Sequence, residues 1–298
     1  MAPDSGERLD RYIVRLGLAP SRRAAQELIA HGLVRVNGAR FRKAQMVTPV
    51  DKIEVLDTIR ARSIEPNADL EIEILYADDS LIVVNKPGLM PCHPLRSDER
   101  NTVMNGIVAQ FPETAAAGDQ PREGGLVHRL DNGTSGALLI ARTQESFAKL
   151  RAAIRGGKIL RTYEALVAGN LPTRLELNHP IAHHPVNPEK MTLGDSSSQQ
   201  RKRAGRIAVT IVEPIRRIAA STLVRVTPRT GSRHQIRVHL ANAGFPIVGD
   251  VLYGGPKVDA LLEGRFWLHL REVELGSPAA GRIKVTAPPP SELMSLIR

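Results

Sequence analysis

The run Gly124-Gly125-Leu126-Val127-His128-Arg129-Leu130-Asp131-Asn132-Gly133-Thr134-Ser135-Gly136 sets a base, a cation and an acid into an otherwise apolar stretch. Strand-like residues stand on either side, Leu126-Val127 before it and Leu138-Leu139-Ile140-Ala141 after it. Judged alone, a carboxylate among glycines fits a turn residue that bonds its own backbone. The company of His128 and Arg129 makes the same turn a place to look for chemistry.

Outward from this run, the chain reads as a large domain in which strands outnumber helices. Leu70 to Ile74 alternates as a half-buried strand does, and Leu81-Ile82-Val83-Val84 is a short apolar run ended by Asn85-Lys86-Pro87-Gly88. Further strands are expected at Leu138–Ala141, Tyr163–Val167, Ile207–Val212 and Thr222–Val226. Phe147, Leu150 and Ile154 sit at helical spacing ahead of Gly156-Gly157, and Ile236, Leu240 and Ala243 ahead of Gly244. Strands and helices do not alternate strictly, so the expected class is α+β with a mixed, mainly antiparallel sheet rather than a doubly wound one. The polar segment 183–206, with Ser196-Ser197-Ser198 and Arg201-Lys202-Arg203, reads as a mobile surface loop.

The amino-terminal part is self-contained. Leu9, Ile13 and Leu16 predict one short helix, and Ala25, Leu28 and Ile29 a second that stops at Gly32. Val34 to Phe41 reads as a hairpin turning on Asn37-Gly38, and Val47 to Val55 supplies another strand. Arg22, Arg23, Arg35, Arg40, Arg42 and Lys43 face only one acid in that span, Glu27. Residues 57–69 lack periodicity and contain Pro66, which predicts a linker. The expected organisation is a small domain over 1–56, a linker over 57–69 and a large domain over 70–298.

Composition narrows the partners. Lys and Arg total 41 against 31 Asp and Glu, a formal charge of +10 in 298 residues, which favours a polyanion. The single cysteine, Cys92, excludes an intrachain disulfide framework. No apolar stretch reaches the length of a bilayer span, and MAPDSGERLDR lacks the apolar core of a signal peptide, so a cytoplasmic protein is expected.

Two resemblances sharpen these readings. RLDRYIVRLGLAPSRRAAQELIAHGLVRVNG resembles the small RNA-binding domain first seen in ribosomal protein S-four, over residues 7 to 56; the resemblance implies that Arg22, Arg23 and Arg35 meet the phosphate backbone. His128-Arg129-Leu130-Asp131 followed by Thr134-Ser135-Gly136 resembles the active-site motif of the RluA family of RNA pseudouridine synthases, with every fixed position matched. Tyr76-Ala77-Asp78-Asp79 before Asn85-Lys86-Pro87-Gly88, the strand Thr162–Gly169, and Thr230–Leu240 followed by Gly249-Asp250-Val251-Leu252-Tyr253-Gly254 look like further motifs of that family in the same order, over about residues 70 to 287.

The family resemblance implies an enzyme that turns uridine into pseudouridine, with ribosomal RNA as substrate and neither cofactor nor metal. It implies Asp131 as the reacting carboxylate, kept ionised by an adjacent cation, and Tyr163 as the aromatic that stacks on the extruded base. His128, Arg129 and Arg237 are then candidate RNA contacts. Family members carry Arg or Lys directly after Thr-Gly, paired with the carboxylate, where this chain has Ser232. Ser232 with Gln235 fits a capping box. Arg233, one residue on and four before Arg237, is the expected substitute. The alternatives are an RNA-binding protein without catalysis, favoured by Ser232, and a transfer RNA substrate. Gly133-Thr134-Ser135-Gly136-Ala137 lacks the final glycine of a nucleophile elbow and leads into a strand, which disfavours a serine hydrolase. His179, His183, His184 and the Cys92-His93 pair lack metal-ligand spacing. No protein partner is readable.

Overall fold

The computed structural model describes residues 6–19, 21–30, 32–40, 46–56, 64–96, 98–120, 122–194, 204–277 and 281–297. Arg42, Lys43, Ser196-Ser197-Ser198, Arg201-Lys202-Arg203 and residues 57–63 of the expected linker lie outside the described residues.

Residues 7–55 form β1 (Glu7–Arg8), α1 (Leu9–Arg15), α2 (Arg22–Ala30), β2 (Val34–Val36), β3 (Ala39–Arg40), β4 (Met46–Val47) and β5 (Ile53–Val55). Leu9, Ile13, Ala25, Leu28, Val34, Val36 and Val47 close a core of their own. Asn37 and Gly38 take positive φ, 51° and 80°, as the tight hairpin between β2 and β3 requires. The single strand expected over 47–55 is two: β4 pairs with β1, and β5 with β2. Between them the Asp51 carboxylate accepts the Thr48 amide at 2.7 Å and the Asn37 side chain at 2.7 Å, which bends the chain. Asp10, buried at the start of α1, accepts Arg8, Arg22 and Gln26. The Arg8 hydrogen bond, followed by those of Gln26 and Arg22, holds its carboxyl well below the usual range against the cost of burial.

The larger part comprises β6 (Ile74–Ala77), β7 (Leu81–Lys86), α3 (Val103–Gln110), β8 (Ser135–Ala141), α4 (Gln144–Arg155), β9 (Leu160–Ala168), β10 (Leu175–Leu177), β11 (Ile181–His183), β12 (Met191–Leu193), β13 (Thr210–Ile218), β14 (Ser221–Pro228), α5 (Gln235–Asn242), β15 (Leu268–Ser277), β16 (Gly281–Thr286) and α6 (Ser291–Met294). One sheet runs β10-β13-β14-β9-β15-β8-β7-β6, with β16 also on β15. Every pairing is antiparallel except β15 with β8. The mixed, mainly antiparallel sheet and its helices are the α+β class expected from the sequence.

Three expectations are corrected. The ladder of β6 opens at Ile74 rather than Leu70, because Leu70 and Ile72 lie beside Gly106 of α3. Residues 64–69, expected within the linker, are packed: Ile64 joins the large core, Asn105 donates to the Glu65 carbonyl at 2.6 Å, and the Asn67 amide donates to the Asn105 carbonyl. The expected mobile loop over 183–206 begins within a two-stranded ladder, β11 with β12. Among the described residues no helix is long and apolar enough to cross a membrane.

Strand β8 carries the quoted run. All seven of its residues are buried. On one side it pairs with β7; on the other, its end is completed by the run itself, Val127 N donating to Leu139 O and Ala141 N to Gly125 O. This close approach requires Gly125, since a Cβ there would collide with the Ala141 carbonyl. Gly125→Ala is therefore expected to destabilise the protein by about 3 kcal/mol, read as a lower urea midpoint; an unchanged midpoint would show that the segment is not seated on β8.

Candidate active site

The turn after Leu130 is pinned on every side. The Asp131 carbonyl accepts the Thr134 amide at 3.0 Å, and the Asn132 carbonyl accepts Leu89 N at 2.7 Å and Lys86 Nζ at 3.2 Å. Lys86 is fully buried, and its ammonium also donates to the carbonyls of Pro87 and Met90 at 2.8 Å. Burial brings its pKa down to about 8. From the other side Arg265 donates to the Gly133 carbonyl and, at 2.9 Å, to the Ser135 hydroxyl, which also pairs with His269 Nδ1. Cys92 and Leu130 exchange two sulfur contacts of 3.4 Å. The turn so fixed leaves the Asp131 side chain a quarter exposed, facing a cavity of about 880 Å³.

Arg237, on α5, reaches that carboxylate. Its Nη1 donates to Asp131 Oδ2 at 3.1 Å, while Nε and Nη2 make a bidentate pair with Asp250 at 2.7 and 2.8 Å. The guanidinium lies between Phe266 and Tyr253, 4.4 and 4.9 Å from the two ring centres. Burial works against its charge, yet the Asp250 hydrogen bonds and the charge of Asp131 hold its pKa above the usual arginine value. Asp250 itself is buried. His234 stands on the far side of Asp131, Nε2 to Oδ1 at 3.9 Å. Tyr163, buried on β9 beside Val226 and Leu270, lines the same cavity, and burial raises its phenol pKa.

The structure brings Asp131, Tyr163 and Arg237 together at the cavity, which His128, Arg129 and Arg233 also line, while Arg22, Arg23 and Arg35 belong to the amino-terminal part. Arg233 does not stand in for the missing cation: its guanidinium donates to the Pro188 and Glu189 carbonyls at 3.3 and 3.2 Å. The reason is local. The helix starts at Gln235 behind a left-handed His234, φ 54°, so Ser232 is not its cap, and Arg233 and Arg237 share no helical face. The Gln235 side chain still accepts the Ser232 amide at 3.0 Å. Arg237, expected to touch RNA, is nearly closed to solvent. His128 is buried as well, with Nε2 accepting the Leu139 amide at the end of the β8 ladder, and it lines the cavity. Arg129 is exposed at the cavity mouth, 3.4 Å from Glu123. Arg22, Arg23 and Arg35 are all exposed, and Arg22 also donates to Asp10.

Three arginines at the cavity, Arg151, Arg161 and Arg206, escaped the sequence reading because they sit on separate elements with no shared motif. Arg151 donates to the Val127 carbonyl and Arg161 to the Thr230 carbonyl. The result is a cavity floored by a carboxylate and a tyrosine and rimmed by cations, which suits an anionic polymer that inserts one aromatic base.

Comparison with known proteins finds relatives over both parts of the chain. A family model described as RNA pseudouridylate synthase matches residues 80–242, and an S4 domain matches 7–53. The chain is 34% identical to ribosomal large subunit pseudouridine synthase D of Pseudomonas aeruginosa, over 98% of this chain and 92% of that protein. It is 33% identical to the protein of the same name from Xanthomonas campestris, over 100% and 90%. Among solved structures, human RNA pseudouridylate synthase domain containing 4 superposes with a TM-score of 0.56 at 25% identity, covering 74% of this chain and 90% of that one.

The buried imidazoles give the site a pH signature. Burial pushes His128 down to about 3 and His269 to about 4. Unfolded, both return to about 6.5 and take up protons the folded protein refuses, so stability falls as pH drops from about 6.5 towards 4, by about 1.4 kcal/mol per pH unit for each group. Urea midpoints measured from pH 7 to 5 are expected to fall, and His128→Gln to remove one group's share of the slope; an unaltered slope in that variant would contradict a neutral, buried His128.

Proposed function

Because the chain belongs to the RNA pseudouridylate synthase family, we propose that it isomerises specific uridines of large-subunit ribosomal RNA to pseudouridine with Asp131 as the reacting carboxylate. The observation that carries this is the position of Asp131, held on one oxygen by Arg237 and open to a cavity that Tyr163 lines. In the reaction the bond from the ribose anomeric carbon to N1 breaks, the base turns, and a bond to C5 forms. The C5 proton leaves and N1 gains one, so the product is an isomer of the substrate. Attack on the ribose, attack on the base and removal of a ribose proton all require an ionised carboxylate near the sugar. Arg237 supplies the opposite charge and fixes the direction of attack, and Asp250 fixes Arg237.

The Tyr163 ring offers a face for the extruded uracil, whose removal from the stack costs a few kcal/mol. Arg129, Arg151, Arg161 and Arg206 are placed to hold flanking phosphates, which confers affinity and register without sequence information. The S4 domain, through Arg22, Arg23 and Arg35, adds a second phosphate contact. The Arg237–Asp131 pair supports reading Arg237 as the needed cation, which weighs against a protein without catalysis despite Ser232.

Incubation with unmodified large-subunit ribosomal RNA, followed by carbodiimide labelling and primer extension, tests the proposal. Wild type is expected to leave stops at discrete uridines, and Asp131→Asn to slow their formation by at least about a thousandfold. Modification by the Asp131→Asn variant at the wild-type rate would remove the carboxylate from the chemistry. Modification of transfer RNA alone would overturn the substrate.

A further inference from the structure

Arg237 engages one oxygen of Asp131. The other, Oδ1, faces His234, a residue no motif reading singled out. The His234 ring stands edge-on to Tyr253, 5.7 Å between centres at 86°, and its Nδ1 lies 2.8 Å from the Tyr253 hydroxyl. That hydroxyl already accepts the Met191 amide at 2.8 Å. When that hydroxyl gives its own proton to His234 Nδ1, the imidazole proton sits on Nε2, the nitrogen 3.9 Å from Asp131 Oδ1.

We propose that His234 is a positioning residue for the reacting carboxylate: neutral and fixed as the Nε2–H tautomer by Tyr253, it donates to Asp131 Oδ1 while Arg237 holds Oδ2. This rests on the assignment of Asp131 above. The gap of 3.9 Å is closed by a small rotation of the carboxylate, as hydrogen bonds at such sites tighten when substrate fills the cavity. With Nδ1 occupied and Nε2 protonated, the ring has no lone pair to offer a substrate proton; it acts as a donor only. Burial and the charges of Arg237 and Arg233 keep it neutral, outweighing Asp131 and Asp250, and bring its pKa to about 4. The backbone is committed to the same end. His234 takes a left-handed φ of 54°, which a side chain beyond Cβ seldom adopts, and this turn directs the ring at Asp131 instead of along α5.

Two measurements test the proposal. Nitrogen-15 NMR of histidine-labelled protein, with His234→Gln to assign the resonance, is expected to find the proton on Nε2; a proton on Nδ1 overturns the proposal whatever the activity. In single-turnover isomerisation of large-subunit ribosomal RNA, His234→Leu is expected to lower the rate at saturating enzyme about tenfold without changing the Kd for RNA. His234→Gln, which keeps a donor near the Nε2 position, is expected to stay within about threefold of wild type. A rate for His234→Leu equal to wild type, or a loss confined to Kd, overturns the inference while leaving Asp131 in place, provided Asp131→Asn is inactive. Activity in Asp131→Asn overturns both.

Discussion

A single guanidinium, that of Arg237, joins the two halves of the site. It leaves α5, passes between Tyr253 and Phe266, and ends between Asp250 and Asp131. Burying a cation costs several kcal/mol unless its partners are close and well aligned. Asp250 meets that demand with two short, parallel hydrogen bonds in a site shut to water. Asp131 makes one longer contact and stays partly exposed. The asymmetry suits two tasks: Asp250 holds the cation still, and the cation then orients a carboxylate that, in the role proposed for Asp131, must remain free to act.

The backbone under Asp131 is held by the same means. Lys86 and Arg265, both buried, donate to carbonyls and a hydroxyl of the turn 132–135 and of its neighbours at 87–90, and Arg265 donates besides to the Phe266 carbonyl and to Glu292. Each is a cation desolvated to fix a main chain, and the fall in the Lys86 pKa to about 8 records the cost. A reacting group must be held within a fraction of an ångström by groups that are themselves locked. Here strand β7, the segment before β15, and α5 each contribute one buried cation to that end. Two of these cations, Lys86 and Arg237, feel the charge of Asp131 directly.

Most of this was visible in the sequence where the chemistry was concentrated in a short run. His128 to Gly136 identified the turn and the carboxylate, and the amino-terminal helices and Asn37-Gly38 hairpin followed from spacing and turn chemistry. What the sequence concealed has physical causes. Arg233 is preferred over Arg237 as the partner of Asp131 in the sequence because a capping-box pattern at Ser232 and Gln235 sets the helix start too early; one left-handed residue, His234, moves the start and turns Arg237 inward. Helix α3 shows no amphipathic period because six of its eight residues are buried. Strand β15 changes phase at a bulge between Leu270 and Glu272, so Leu268 and Leu270 fall out of alternation with Val273 and Leu275. Asp250, Lys86 and Arg265 lie far from Asp131 in sequence, and only the fold makes them neighbours.

In the proposed reaction Asp250 acts through Arg237 alone. A double-mutant cycle in the single-turnover isomerisation rate tests it most directly, using Asp250→Asn, Arg237→Met and the pair. If Asp250 serves only to hold the guanidinium, each single variant slows the reaction by roughly a hundredfold and the pair is no slower than Arg237→Met. Multiplicative losses in the pair would contradict the account, because Asp250 would then contribute independently of the residue it holds.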